Sequence, residues 1–266
     1  MIINISSVNL YTKCPRKWGY SVLGYNEPET AAMREGTAFH EACALSQAPP
    51  EHAPGWMLAA WEAAQAWQAA HPEVEVIGNE MELEAPFGRH TLKGRLDRIV
   101  RWNGLYWHWQ WKTAAANKNL EAYTRLIARS FHEHGYRHLA IHAGYVPYGG
   151  SWLGVARKHS QAALDRGENP LFVTPLPTGS NNASLLADLE THIDAMAEWE
   201  TKALAGGALP PQAPEHCGGF YGNSPCHFLD VCDGRVGLTA VAPRVFPVHV
   251  RQEAPRDPGN ALPPTT

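Results

Sequence analysis

Apolar positions recur along this chain at two spacings, and the change from one to the other marks out its elements. Residues 55–70 carry Trp56, Leu58, Trp61, Ala64 and Trp67, a helical stripe that ends before Pro72. Residues 184–205 repeat the pattern through Leu185, Leu189, Ile193 and Met196, and Gly206-Gly207 with Pro210-Pro211 close it. The pattern also predicts helices over 6–25, broken near Cys14-Pro15, over 36–47, and over 118–146 with an interruption at Gly135. Between them the period falls to two. In 74–85, Met81 and Leu83 alternate with Glu80, Glu82 and Glu84. Residues 90–102 and 105–112 flank Asn103-Gly104, a strong short signal for a hairpin. Residues 152–157 and 171–176 read as two more strands around a polar loop. The expected fold class is α/β: a small mixed sheet with the Asn-Gly hairpin at its centre, flanked by helices. One domain is expected over 1–239, with a loose Pro-rich tail over 240–266.

The hairpin makes a geometric prediction. If Asn103-Gly104 is a two-residue loop, Trp102 pairs with Leu105 and Asp97 falls opposite Gln110. Alternate strand residues share a face. Tyr106, His108, Gln110 and Lys112 then point one way, and Leu105, Trp107, Trp109 and Trp111 the other. Asp97, Gln110 and Lys112 gather on the polar face unless a bulge near Asp97 breaks the alternation.

Composition narrows the setting. The chain has 266 residues, 44% hydrophobic, enough for one sizeable core. Its net charge is -4, which argues mildly against a tight non-specific duplex binder and leaves room for a locally basic groove. Five cysteines without a signal peptide or a membrane-length apolar run point to a reducing cytoplasm. No phosphate loop, dinucleotide fingerprint or Ser-His-Asp signature is present.

A carboxylate and an amide oxygen are hard ligands suited to Mg²⁺ or Mn²⁺. A nearby ammonium can orient water and steady charge on a phosphate. On the hairpin alone, a solvated cross-strand polar cluster is the simpler account.

Other segments add weight. KGRLDRIV followed by WHWQWKT resembles the paired motifs of PD-(D/E)XK nucleases, and most of all the RecB-type branch with its iron–sulfur nucleases of CRISPR adaptation and AddB-like subunits. SSVNLYTKCPRKWGY, GTAFHEA, YRHLAIHAGY and CHFLDVC are similar to further elements of that branch, in the same order. The resemblance implies a restriction-endonuclease-like core. It implies a divalent ion held by Asp97, Gln110 and the main-chain carbonyl of Trp111, with His40 near the metal and Lys112 positioning the attacking water. Arg16, Lys17, Arg95 and Arg98 become phosphate contacts. Gln110 stands where the family has an acidic residue, so weaker metal binding, or help from Glu80 or His40, is expected, and a carboxylate restored at 110 is expected to tighten it. His138 and His142 take the places of the family's Gln-x-x-x-Tyr helix pair.

In the same branch one early and three late cysteines bind a 4Fe-4S cluster. Cys14, Cys217, Cys226 and Cys232 match that distribution. Four thiolates also suit Zn²⁺, and four buried thiols are the plain alternative. Cys43 reads as core. The row His134, His138 and His142 has a spacing that can ligate metal, but no HExxH is present. Trp107, Trp109 and Trp111 could stack bases, though facing away from Lys112 they read as core. The implied activity is an exonuclease or single-strand nuclease on DNA, single-stranded or at duplex ends, in recombination, repair or phage DNA processing. The host would be a bacterial or phage-infected cell. The alternatives are an inactive nucleic-acid-binding module on the same scaffold and a zinc-stabilised structural protein.

Overall fold

Pro15 sets the first boundary. It lacks an N–H and fits the first turn of a helix, so Cys14 is extended (φ -154°, ψ 100°) and divides α1 (Ile5–Lys13) from α2 (Pro15–Val22), after a short strand β1 (Ile2–Asn4). The computed structural model describes residues 1–25, 28–177, 182–207, 209–211, Phe228 and Cys232. Two helices follow, α3 (Ala31–Leu45) and α4 (Gly55–Ala70). The Thr30 hydroxyl accepts the Met33 N–H and caps α3. Then come β2 (Glu75–Phe87), β3 (His90–Trp102) and β4 (Leu105–Ala115), α5 (Leu120–Ala128) and α6 (Phe131–His142), β5 (Tyr148–Lys158), α7 (Gln161–Asp165), β6 (Leu171–Pro175) and α8 (Asn182–Leu204).

The helical stretch expected over 118–146 does divide, but at Arg129-Ser130 and not at Gly135. Ser130 accepts the Glu133 N–H and starts α6. Gly135 lies inside that helix, where a Cβ would sit 1.8 Å from Ile5 Cδ1, so glycine is there to let α6 lie on α1. The loop expected between the last two strands also holds the short α7.

The sheet is mixed and helices flank it. β1 is parallel to β3 and β4 to β5; β2 with β3, β3 with β4 and β5 with β6 are antiparallel. Asn103 (φ 52°) and Gly104 (φ 75°) make the expected two-residue turn, and Trp102 pairs with Leu105. That pairing runs back only to Arg98 with Trp109. β2 follows one edge of β3 from His90 to Arg101. The other edge is shared: β4 takes 98–102, β1 takes 91–93, and 94–97 lies between them. The sheet is split open there.

Each face has its own core. Ile5, Val8 and Trp18 meet Leu92, Leu96, Leu139 and Ile193 on one side. Phe39, Trp56, Met57 and Ala60 meet Trp109 and Trp111 on the other. Trp109 and Trp111 of β4 are therefore packed in core, and Trp107 is half-buried. No helix among the described residues is long and apolar enough to cross a membrane. Cys217, Cys226 and the expected tail lie outside the described residues.

Candidate active site

Asp97 sits where the alternation of β3 slips. Leu92, Leu96 and Ile99 share one core, so the last two are three residues apart instead of two or four. Arg98 points into the opposite layer, where it donates to the Cys43 carbonyl (2.9 Å) and to Asn79 (2.7 Å). Across from Asp97 on β2, between the pairs Asn79–Arg98 and Met81–Leu96, Glu80 has a φ of 48°. This kink aims both carboxylates into the split.

There Asp97 Oδ2 accepts the Trp111 N–H (2.7 Å), and Asp97 Oδ1 lies 3.4 Å from His40 Nδ1 on α3. One ligand atom each from His40, Glu80 and Asp97 falls within 4.8 Å of the others. Arg95 pairs with Glu80 at 2.8 Å. Met33, Thr37, His40, Leu45, Glu80 and Arg95 line an open cavity of about 670 Å³ beside this group. Burial acts to raise the Asp97 carboxyl, but Lys112, His40 and the Trp111 N–H outweigh it and hold it below its ordinary value. Asp97 is thus an anion with an ammonium beside it.

Gln110 is 1% exposed and belongs to a separate but adjoining network. Its Nε2 donates to Glu133 Oε2 (2.7 Å) on α6. The same oxygen is 3.1 Å from His108 Nε2, and Ser151 donates its hydroxyl to Glu133 Oε1. His108 Nδ1 is 2.6 Å from the Tyr148 hydroxyl. Burial works against the Glu133 anion, while His108 and Ser151 favour it, and the balance lowers its pKa. Gln110 Oε1 is buried and has no hydrogen-bond partner among the described residues. The next residue, Trp111, carries the N–H that Asp97 accepts, so Gln110 starts one peptide unit from that carboxylate.

The helix pair nearest Asp97 differs from the one expected. His132 and Tyr136, four apart on α6, stack at 5.5 Å. Burial pushes His132 down to about 4, with Lys112 and Lys13 adding to the fall. Tyr136 is raised by burial and by Asp97. His138 instead bonds the Pro86 carbonyl (2.9 Å) and contacts His142 at 4.3 Å, near the far end of β2. The i,i+4 spacing of His132 and Tyr136 was visible in the sequence. Glu133 was visible only as the acidic third residue after a Ser cap, a pattern that ordinarily reads as a capping box.

The expected phosphate contacts divide. Arg95 lines the cavity. Arg98, 7% exposed and committed to Cys43 and Asn79, is corrected to a structural residue. Arg16 donates to the Pro210 carbonyl (3.0 Å). Lys17, on α2, stands near Lys13 at the end of α1. Cys14 opens α2, and Tyr20 on that helix has its hydroxyl 3.5 Å from Cys232 Sγ. Phe228 packs on the same tyrosine at 4.7 Å. Cys43 is core, its thiol pushed up to about 12 by burial.

Residues 3–75 match the family model of the PD-(D/E)XK nuclease superfamily. That stretch holds His40 and ends before Glu80, Asp97, Gln110 and Lys112. No curated protein matches the chain by sequence. A crystal structure described as a candidate exonuclease from Eubacterium rectale is similar over 89% of this chain and 89% of that chain, with a TM-score of 0.53 at 9% identity, a likeness of fold. The crystal structure of SSO0001 is similar over 73% of this chain and 76% of that chain, with 18% identity and a TM-score of 0.38.

Proposed function

We propose that this chain is a divalent-metal-dependent nuclease acting on DNA, as single strands or at duplex ends. The observation that carries the reading is the convergence of His40, Glu80 and Asp97 within 4.8 Å, beside Lys112, where the sheet splits. The superfamily match over residues 3–75 and the shared fold support it. Carboxylate oxygens with one imidazole suit Mg²⁺ or Mn²⁺, and the unpartnered Gln110 Oε1 is a neutral oxygen fit to complete the set. The Trp111 carbonyl is a further ligand in this reading. When bound, such an ion supplies a water of lowered pKa and a counter-charge for a phosphate.

The protein's own groups do the rest. Asp97 stays ionised because Lys112 and His40 favour its charged form. Lys112 holds the attacking water and offsets charge on the scissile phosphate. Arg95 and Lys17 bind flanking phosphates. Degradation from an end is the favoured mode, in recombination, repair or phage DNA processing.

The test is cleavage of labelled single- and double-stranded DNA with Mg²⁺, Mn²⁺ or chelator, on the parent and on Asp97→Asn. Metal-dependent cleavage lost in the variant is expected. DNA binding without cleavage in the parent would favour the inactive-module reading.

A thiolate-bound 4Fe-4S cluster, or Zn²⁺, on Cys14, Cys217, Cys226 and Cys232 is a second, separable part of the proposal. Its support is the approach of Cys232 and Phe228 to α2, the helix that Cys14 opens. Metal analysis of Cys14→Ser should show loss of the bound metal, and Cys43→Ser should not. Equal metal in Cys14→Ser and the parent would remove the shared site.

A further inference from the structure

The two ends of the Gln110 side chain are almost alike in shape, and only their surroundings decide which end points where. Here the surroundings are a carboxylate. Glu133 Oε2 lies 2.7 Å from Nε2 and can only accept. The oxygen end is thereby forced the other way, and it is the end left buried without a partner. Leaving a buried acceptor empty is unfavourable, so such an atom calls for a ligand.

Glu133 is itself immobilised. Ser151 donates to one oxygen, His108 faces the other, and Tyr148 holds His108 from behind. Its carboxylate enters from α6, not from the hairpin. We infer that Glu133 is a positioning residue for the metal site: it fixes the Gln110 amide with Oε1 presented to the ion, and brings from α6 the negative charge that position 110 lacks. This rests on the nuclease reading above. It reverses the expectation for Gln110→Glu, because a carboxyl at 110 would face Glu133 at hydrogen-bond distance, where two anions repel and the pair is driven to share a proton, so that no net charge is gained for the ion.

A purely structural network and a positioning one differ in a charge swap. Glu133→Gln frees the 110 amide to turn over. Gln110→Glu sets two carboxyl groups together. The double variant Gln110→Glu/Glu133→Gln rebuilds the contact with the donor on the other side and one oxygen of residue 110 still free. The full chain is titrated with Mn²⁺ by calorimetry, and its melting without metal is followed in parallel. Each single variant should weaken Mn²⁺ binding about tenfold or more, the usual reach of an outer hydrogen-bond partner. The double variant should return to within about threefold of the parent, a coupling no independent pair would show.

Ser151→Ala, which removes one tether of Glu133 and leaves its contact with Gln110, serves if Glu133→Gln does not fold. It should weaken Mn²⁺ binding about threefold, short of full removal of the partner. Parent-like Mn²⁺ affinity in Glu133→Gln, or in Ser151→Ala where it stands in, overturns the proposal. So does a double variant no better than the singles. If Asp97→Asn abolishes binding in that same series, the nuclease reading survives and only the role of Glu133 falls. If the parent takes up no Mn²⁺, both fall together.

Discussion

One hairpin, β3 with β4, has two unlike halves. Next to the turn, residues 98–102 and 105–109 form an unbroken ladder. Trp109 from that half is 2% exposed and stacks on Trp152 at 5.7 Å with 12° between the planes. Away from the turn the strands part. Asp97 there takes the Trp111 N–H on its side chain, and Gln110 is turned to a helix. A complete ladder satisfies every backbone group and leaves nothing to bind with. Opening it frees one N–H to orient a carboxylate and makes room for His40 and Lys112. The closed half holds the strands together, and the open half gathers the groups from which the proposed nuclease site is built.

The sharpest way to break that division is at Lys112. Lys112→Ala should lower metal-dependent DNA cleavage about 100-fold or more, the scale for loss of a charge-stabilising group. The variant should stay folded with a modestly lower melting temperature, since Lys112 is half-buried but is the main group favouring the Asp97 anion. Cleavage at the parent rate would show that the open half is not the active site. The complementary cut is Trp109→Ala, which should cost about 3–5 kcal/mol in denaturant unfolding. The folded fraction should keep the parent's Mn²⁺ affinity.

The closed half was legible in the sequence and the open half only in outline. Asn103-Gly104 announces its turn because both residues tolerate positive φ, and the register follows by counting. The extent of α4 was equally plain, since Pro72 stops it, but its buried face runs through Trp56, Met57, Ala60 and Ala64 and leaves Leu58 of the expected stripe exposed. The slip at Asp97 was not legible. It depends on the backbone of Glu80, seventeen residues earlier, and no local pattern in LDRIV reports it. Gly135 misled for a related reason: a glycine read as a break is there because Ile5, far away in sequence, needs the space. Glu133 escaped because an acidic residue three positions after a serine is an ordinary helix-start pattern and carries no mark of a buried role. Asp97, Lys112 and His40 could be named in advance because local motifs carry them, and Glu80 only as a carboxylate able to help; their partners on α6 were not singled out.

His132 sharpens the comparison through pH. Its ring is held neutral, with a pKa near 4 against an ordinary value of 6.5. Between those values the unfolded chain takes up a proton that the folded chain refuses. Stability should therefore be full above pH 6.5, fall as pH drops toward 4, and level off below. His132→Gln should flatten that part of the curve. An unchanged slope in urea titrations from pH 7 to 4.5 would mean that His132 is not buried against Lys112.

The smallest expected effect tests whether the halves are independent. Gly104 holds the second turn position at a φ of 75°, where a Cβ is strained but meets nothing within 4 Å. Gly104→Ala should therefore cost only the strain of a left-handed residue, about 1–2 kcal/mol. The loss should appear as a lower melting temperature of the whole chain. Mn²⁺ affinity should not move, because Asp97 is held by Trp111 and His40, and β4 beyond Trp109 is held by β5 from Gln110 with Leu153 to Ala115 with Lys158. Those supports do not pass through the turn. If Mn²⁺ affinity fell along with stability, the turn would be setting the separation of Asp97 and Lys112, and the hairpin would have to be treated as one mechanical unit instead of a clamp and an open site.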